Sequence, residues 1–232
     1  MSQPAFSRHS DWIETLADAG SREIIETDVL IVGAGPAGLS AAIRLKQVAP
    51  NLGVTVVEKS AELGGHIISG AVMNPVGLDA LLPDWRDLGA PVGPKVTRDT
   101  FHFLTGTADL QLPGQMIPPQ MKTPDAVIVS LGDLVKWLGE QAQGLGVDIF
   151  PMTAAVDVLT GENGRVEGII TGDLGVGADG EPKSTYAAGI GLKAKYTLIG
   201  EGARGSLAKA LIQRFGLADG HDPQFYGLGI KE

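Results

Sequence analysis

The chain has 232 residues, 44% of them apolar and 19% charged, a balance that suits a globular protein with a substantial core and argues against wholesale disorder. Its net charge of −9 disfavours nucleic acid and any broad attraction to anionic lipid. With no cysteine, disulfides, thiolate nucleophiles, cysteine-held iron–sulfur clusters and redox C-x-x-C pairs are excluded from this stretch.

The first residues carry Asp11, Glu14, Asp18, Glu23 and Glu26 and no apolar run. They match neither a secretory signal nor an acid-poor organellar presequence, and residues 1–27 read as an extension before the first domain. The uncharged run 29–43 is too short and glycine-rich for a membrane span. Val29, Leu30, Ile31 and Val32 form a short apolar run, as expected of a strand buried on both faces. Gly33-Ala34-Gly35-Pro36-Ala37-Gly38 follows, a full G-x-G-x-x-G, and the spacing of Leu39, Ile43 and Leu45 predicts a helix. Val54, Val56 and Val57 predict the next strand, with Glu58 closing it 20 residues after Gly38.

Each part of that unit has a job at a dinucleotide. Gly33 permits the tight turn, Gly35 lets backbone N–H groups approach a pyrophosphate, and Gly38 allows close packing of helix on sheet. Pro36 suits the first helical turn, where its missing N–H costs nothing. The helix N-terminus places partial positive charge at the phosphates. Glu58 accepts hydrogen bonds from ribose hydroxyls and would repel a 2′-phosphate. The competing reading is a chance match in a chain with 33 glycines. Strand, turn, helix, strand and terminal acid all agree, so an adenine dinucleotide is expected here.

Further along, 63–71 is glycine-rich and apolar, either a close approach to a ring system or a plain connecting loop. Residues 74–85 predict a short amphipathic helix stopped at Pro83, and 90–94 a proline-punctuated loop. The stretch 110–124 holds Pro113, Pro118, Pro119 and Pro124, so it is expected to be an extended loop rather than a regular helix or central strand. A strand at 126–130, a helix at 131–143 with Leu134, Val135, Trp137 and Leu138 inward, and a strand at 147–150 follow. Residues 155–159 and 166–171 flank a turn containing Asn163-Gly164, a β-hairpin signal. The acids from Asp173 to Glu181 space superficially like a calcium loop, but Gly175 and Gly177 sit where oxygen ligands belong, and a flexible loop is expected. His9, His66, His102 and His221 lack metal spacing, and there is no internal repeat.

Residues 192–199 predict a strand leading into a second glycine turn, Gly200-Glu201-Gly202-Ala203-Arg204-Gly205, and a helix from Ser206 to Phe215. A separate nucleotide site would need another strand ending in an acid about 20 residues on. That window holds only the turn cluster Asp219-Gly220-His221-Asp222-Pro223. This turn is therefore expected to return to the first site and present backbone to the same cofactor.

The segments DVLIVGAGPAGLSAAIRL, VVEKSAELGGHIISGAV and YTLIGEGARGSLAK, with LLPDWRDLGAP, LGDLVKWLGEQAQGLGV and FYGLGIKE, resemble the FAD-binding portion of the electron-transfer flavoprotein–ubiquinone oxidoreductase family. Its wider relatives are geranylgeranyl-reductase-like and aromatic-hydroxylase-like flavoproteins. The resemblance runs from Asp28 to Glu232. It implies an α/β fold: a Rossmann-like FAD-binding domain (28–100 and 126–232) with a β-hairpin insertion. Part of a quinone- or substrate-side region comes with it, to which the proline-rich insertion 101–125 is assigned. The implied FAD-binding set is Val32, Gly33, Ala34, Gly35, Pro36, Ala37 and Gly38 at the pyrophosphate, Glu58 and Lys59 at the adenosine, Gly65 near the isoalloxazine, and Glu201 and Gly202 as a second contact. No catalytic or metal-ligating residue is expected.

The resemblance further implies electrons arriving from reduced electron-transfer flavoprotein and passing through a 4Fe-4S cluster and FAD to ubiquinone. It places a peripheral membrane contact between His66 and Leu82, at the cytoplasmic side of a bacterial inner membrane. The family's cluster cysteines and its late glycine-aspartate motif are missing here. An N-terminal fragment holding the adenosine half of FAD is therefore expected, with the last residues, from Tyr226, starting a strand. The alternatives are an NAD(P)H-using flavin reductase or monooxygenase of a related subfamily, or a non-catalytic FAD-binding remnant.

Overall fold

The computed structural model describes residues 22–68, 70–123, 125–161, 164–177 and 179–227. In chain order the strands are β1 (Ile24–Val32), β2 (Val54–Val57), β3 (Gly70–Met73), β4 (Val92–Lys95), β5 (Phe101–Leu104), β6 (Asp109–Leu112), β7 (Val127–Ser130), β8 (Asp148–Phe150), β9 (Ala155–Thr160), β10 (Val166–Thr171), β11 (Leu174–Val176), β12 (Pro182–Ala187) and β13 (Gly191–Ile199). The helices are α1 (Pro36–Val48), α2 (Val76–Leu81), α3 (Leu131–Gly144) and α4 (Ser206–Phe215).

The main sheet has the order β8-β2-β1-β13-β10-β9. Its first four strands run parallel, while β10 and β9 join antiparallel. This mixed α/β sheet is the arrangement the sequence predicts. From β1 the chain crosses over through α1 to β2 on one side, whereas β13 arrives from far along the chain on the other. The strand order therefore reverses at β1, and a crevice opens beside its carboxyl end, where open α/β sheets bind ligands.

Apolar alternation explains how the layers hold. Val29, Ile31, Val54 and Val56 face α1 and α3 and pack with Leu39, Ile43, Val135 and Leu138. Leu30, Val32 and Val57 face the other way, against Val158, Ile169, Leu192 and Leu207. Strands buried on both faces need this unbroken run of aliphatic residues. Each fully buried Leu, Ile or Val contributes about 1.5–3 kcal/mol relative to exposure.

Several expectations change. β1 begins at Ile24, because Ile24 to Thr27 pair with β13 from Gly191 to Ala194. The helix expected over 74–85 is only α2, six residues, with turns beyond it. The loop expected at 90–94 contains β4, with Pro94 on the edge of the β3-β7-β4 sheet, where a missing N–H breaks no central ladder. Within 110–124, β6 pairs with β5 from Phe101↔Leu112 to Leu104↔Asp109, and two short 3-10 turns follow Pro113 and Pro118. The loop expected between Asp173 and Glu181 includes β11, which pairs with β12 as a hairpin. The flanks of the β9–β10 hairpin match expectation, although Asn163 lies outside the described residues. So do residues 1–21 and most of the expected terminal strand, 228–232.

Candidate functional site

The turn after β1 is shaped by backbone-to-backbone contacts. Gly33 sits at φ +102°, and a Cβ there would meet the Gly200 carbonyl oxygen at 2.6 Å. A Cβ on Gly38 would lie 2.0 Å from the Gly33 carbonyl oxygen. Both positions are thus reserved for glycine by the protein's own packing. Gly35 is different. Its φ of −78° and ψ of −178° suit any residue before a proline, and nothing stands within 4 Å of where its Cβ would be. The open space there faces no protein atom, and it is the space a pyrophosphate needs for close approach to the main chain.

The helix beyond is left ready for an anion. α1 starts with Pro36, has no side-chain cap and carries no acid in its first turn. Its first helix bond runs from the Leu39 amide to the Gly35 carbonyl at 3.0 Å. The amides ahead of Leu39 have no acceptor within the helix, and the helix dipole adds positive potential at the same place. Pro36 and Ala37 are exposed, while Val32, Ala34 and Gly38 are buried beneath.

Glu58 reaches this turn. The Ala34 amide donates to its Oε2 at 3.0 Å and the Ser60 amide to its Oε1 at 2.8 Å. Each carboxylate oxygen keeps acceptor capacity for a sugar hydroxyl. The turn after β1 and the Glu58 carboxylate therefore lie side by side. Sequence reasoning missed the support behind it: the Glu58 amide donates to the Phe150 carbonyl, and the Met152 and Thr153 amides donate to the carbonyls of Ser60 and Glu58, at 2.8–2.9 Å. Backbone pairing of this kind leaves no mark in residue type. Lys59 is exposed beside Glu58.

The second glycine turn comes back to the first, as expected. β13 lies parallel to β1 in register Ile199↔Val32, and the Gly200 amide donates to the Val32 carbonyl at 2.7 Å. The Glu201 side chain turns toward its own helix: the Ala208 amide donates to its Oε2 at 2.8 Å. It therefore caps α4 in place of the silent Gly205, a role a literal motif match does not reveal. Gly202, at φ +85°, is exposed. Among the described residues no strand follows α4, so a second nucleotide unit is not built here.

Gly65 lies beyond β2 in a loop laid on α3. Its Cβ would come within 2.6 Å of the Ser60 hydroxyl, and that of Gly64 within 2.5 Å of the Gly132 carbonyl. The glycines of this loop thus have a packing reason of their own. A separate trough of about 540 Å3 is lined by Thr27, Asp28, Thr55, Phe150, Thr153 and Lys195 among others, and none of its lining residues belongs to the glycine turns. There the Lys195 ammonium, 2.6 Å from Asp28 Oδ1, and the Gly53 amide hold the Asp28 carboxyl below its ordinary range. No group of His, Asp and Glu able to hold a metal occurs among the described residues.

Comparison with known proteins gives the following. The Thi4 family profile matches residues 14–76. The chain is 50% identical over 217 residues to a probable electron transfer flavoprotein-ubiquinone oxidoreductase of Acinetobacter baylyi, covering 91% of this chain and 38% of that protein. Against the Pseudomonas aeruginosa electron transfer flavoprotein-ubiquinone oxidoreductase the identity is 51%, covering 91% and 39%. The mitochondrial protein of Mus musculus is 48% identical, with 89% and 34% covered. The chain thus spans little more than a third of the length of these relatives. Among solved structures, a geranylgeranyl bacteriochlorophyll reductase-like protein of Thermoplasma acidophilum superposes with a TM-score of 0.53 at 20% identity, over 76% of this chain and 39% of that one. THI4 of Thermovibrio ammonificans gives 0.52 at 18%, over 89% and 67%. The flavin-dependent monooxygenase PieE, solved in complex with FAD and substrate, gives 0.56 at 18%, over 83% and 32%. At these identities the structures establish a shared fold.

Proposed function

We propose that this chain is the FAD-holding portion of an electron transfer flavoprotein–ubiquinone oxidoreductase, its dinucleotide lying across the turn from Val32 to Gly38. The observation that carries the reading is Gly35, whose glycine identity answers to no contact within the protein. The uncapped, acid-free start of α1 and the nearby Glu58 carboxylate supply the two chemistries that an ADP moiety requires. In this reading the amides of Gly35, Ala37 and Gly38 hold the diphosphate, and Glu58 orients the ribose. Lys59 flanks the adenosine, and Gly65 borders the flavin side. Glu201 and Gly202 form the rim where the second glycine turn abuts the first.

Bound there, FAD would supply an isoalloxazine that takes up and releases electrons, while the protein sets its position and access. Electron-transfer flavoprotein as donor and ubiquinone as acceptor are proposed from the relatives' names and the identity of about 50%. A 4Fe-4S cluster, if the full pathway operates, takes its cysteines from sequence outside this chain. Peripheral contact with the cytoplasmic face of a bacterial inner membrane, through the stretch from His66 to Leu82, is proposed as well. Ile68, Val72 and Val76 there are 55–69% exposed, and Val72 of β3 pairs with Ile128 of β7, itself 49% exposed. No helix among the described residues is long and apolar enough to cross a membrane.

The test is Gly35→Val. A Cβ there meets nothing within 4 Å and the backbone conformation suits a side chain, so the melting temperature should stay near that of the parent, within about 0.5 kcal/mol of stability. The flavin spectrum of protein refolded with FAD and desalted should be lost. A Gly35→Val protein that keeps its flavin overturns the assignment.

A further inference from the structure

Met152 is one of two non-glycine residues held at positive φ among those described, at +54°, the other being Asp125 at +63°. Aspartate visits that region readily, and Asp125 also pairs with Lys95 at 2.5 Å. Methionine has neither excuse. Met152 follows Pro151 in a tight turn, the place where glycine or asparagine relieves the strain. Its side chain is not hidden in the core either: the residue is 65% exposed. A strained backbone that presents a large apolar side chain to the outside points to a ligand rather than to folding.

The position of the turn says which ligand. The Met152 amide donates to the Ser60 carbonyl at 2.9 Å, and the Ser60 amide donates to Glu58 Oε1 at 2.8 Å. The Thr153 amide donates to the Glu58 carbonyl at 2.8 Å. Met152 is thus tied to the backbone that carries the ribose carboxylate, on the side away from the phosphate turn. In an adenosine the base is bonded to C1′, the neighbour of the carbon that bears the 2′-hydroxyl. A ribose held by Glu58 therefore places its adenine beside this same backbone. We infer that Met152 forms one wall of the adenine end of the site, its thioether packing on the base. The inference rests on the FAD reading above. An unbranched, polarisable thioether is suited to an aromatic face, and it adapts to the ring without demanding a fixed shape.

The experiment compares Met152→Gly and Met152→Leu with the parent chain, measuring apo melting temperature and the dissociation constants of FAD and ADP by calorimetry. Glycine relieves the strained backbone, so the apo variant should melt higher. At the same time it should bind both FAD and ADP about two- to tenfold more weakly. Leucine, which keeps the bulk, should bind within a factor of about two of the parent while leaving the strain in place. If Met152→Gly melts higher and binds both ligands as tightly as the parent, Met152 is a strained turn residue and nothing more. The FAD reading survives that result. If the parent binds neither FAD nor ADP, the FAD reading falls and takes this inference with it.

Discussion

At the scale of single residues, the three glycines of the first turn are glycines for three different reasons, and their variants should behave differently. Gly33 is needed for its backbone conformation and for contact with Gly200. Gly38 is needed because its neighbour's carbonyl fills the space of a side chain. Gly35 is needed by neither. Gly38→Ala should therefore destabilise the apo protein by about 1–3 kcal/mol, the usual range for overpacking, because the atom it strikes is backbone and cannot swing away. Chemical denaturation checks this. A Gly38→Ala midpoint equal to that of Gly35→Val would contradict the packing described. Glu58 belongs to the same scale. Its two backbone donors pre-set the carboxylate before any sugar arrives, so less ordering is left for the ligand to impose.

At the scale of elements, the β11–β12 hairpin is tied to the start of β1 by one carboxylate. Arg22 donates to Asp173 Oδ1 at 2.6 Å, the Gly189 amide donates to the same oxygen at 2.8 Å, and the Tyr186 hydroxyl donates to Oδ2. The Arg22 hydrogen bond first, then that amide, hold the Asp173 carboxyl below its ordinary range. A carboxyl whose folded value is depressed adds stability above its unfolded pKa of about 3.9, and that stability drains away as pH falls below it. Asp28, held by Lys195 and Gly53, acts in the same direction. Asp173→Asn should accordingly lower stability at neutral pH and flatten its decline below about pH 4, as followed by urea midpoints across pH. An unchanged acid limb would show that Asp173 plays no part in it.

The elements also differ in how far they could be read from sequence. β1, α1 and β2 were legible because their signals are local: an aliphatic run, a glycine turn and helical spacing of Leu39 and Ile43 buried on both sides. α3 was legible through Leu134, Val135, Trp137 and Leu138, all buried as predicted. β5 and β12 were not, because every residue in them is exposed and no alternation marks a face. β4 was hidden by Pro94, whose edge position depends on the distant β7. At the candidate site, the proximity of the Gly33–Gly38 turn to Glu58 could be foreseen from the spacing. Glu201's turn toward α4 and the Phe150–Thr153 support could not, since both depend on backbone amides far along the chain.

At the scale of the whole molecule, the sheet joins pieces that are remote in sequence. β13 shares eight register pairs with β1 and carries the second glycine turn to the first. α1 and α3 seal one face, while α4 packs on part of the other through Leu207 and Leu211. Among the described residues β5 and β6 pair only with each other, and they carry Phe103 and Leu110, each more than 60% exposed. A two-stranded hairpin with so little burial is marginal by itself, so its amides should exchange with deuterium far sooner than those of β1.

The contact between Gly33 and Gly200 carries a consequence for synthesis. The fingerprint is translated well before the wall that presses it into shape, which exists only once Gly200 is made, and closing so long a loop costs entropy that the assembled sheet repays. A chain stopped just before Gly191 should emerge from the ribosome with every fingerprint residue in place and still fail to retain ADP on a nucleotide resin. Retention by that shortened chain would mean the motif moulds itself.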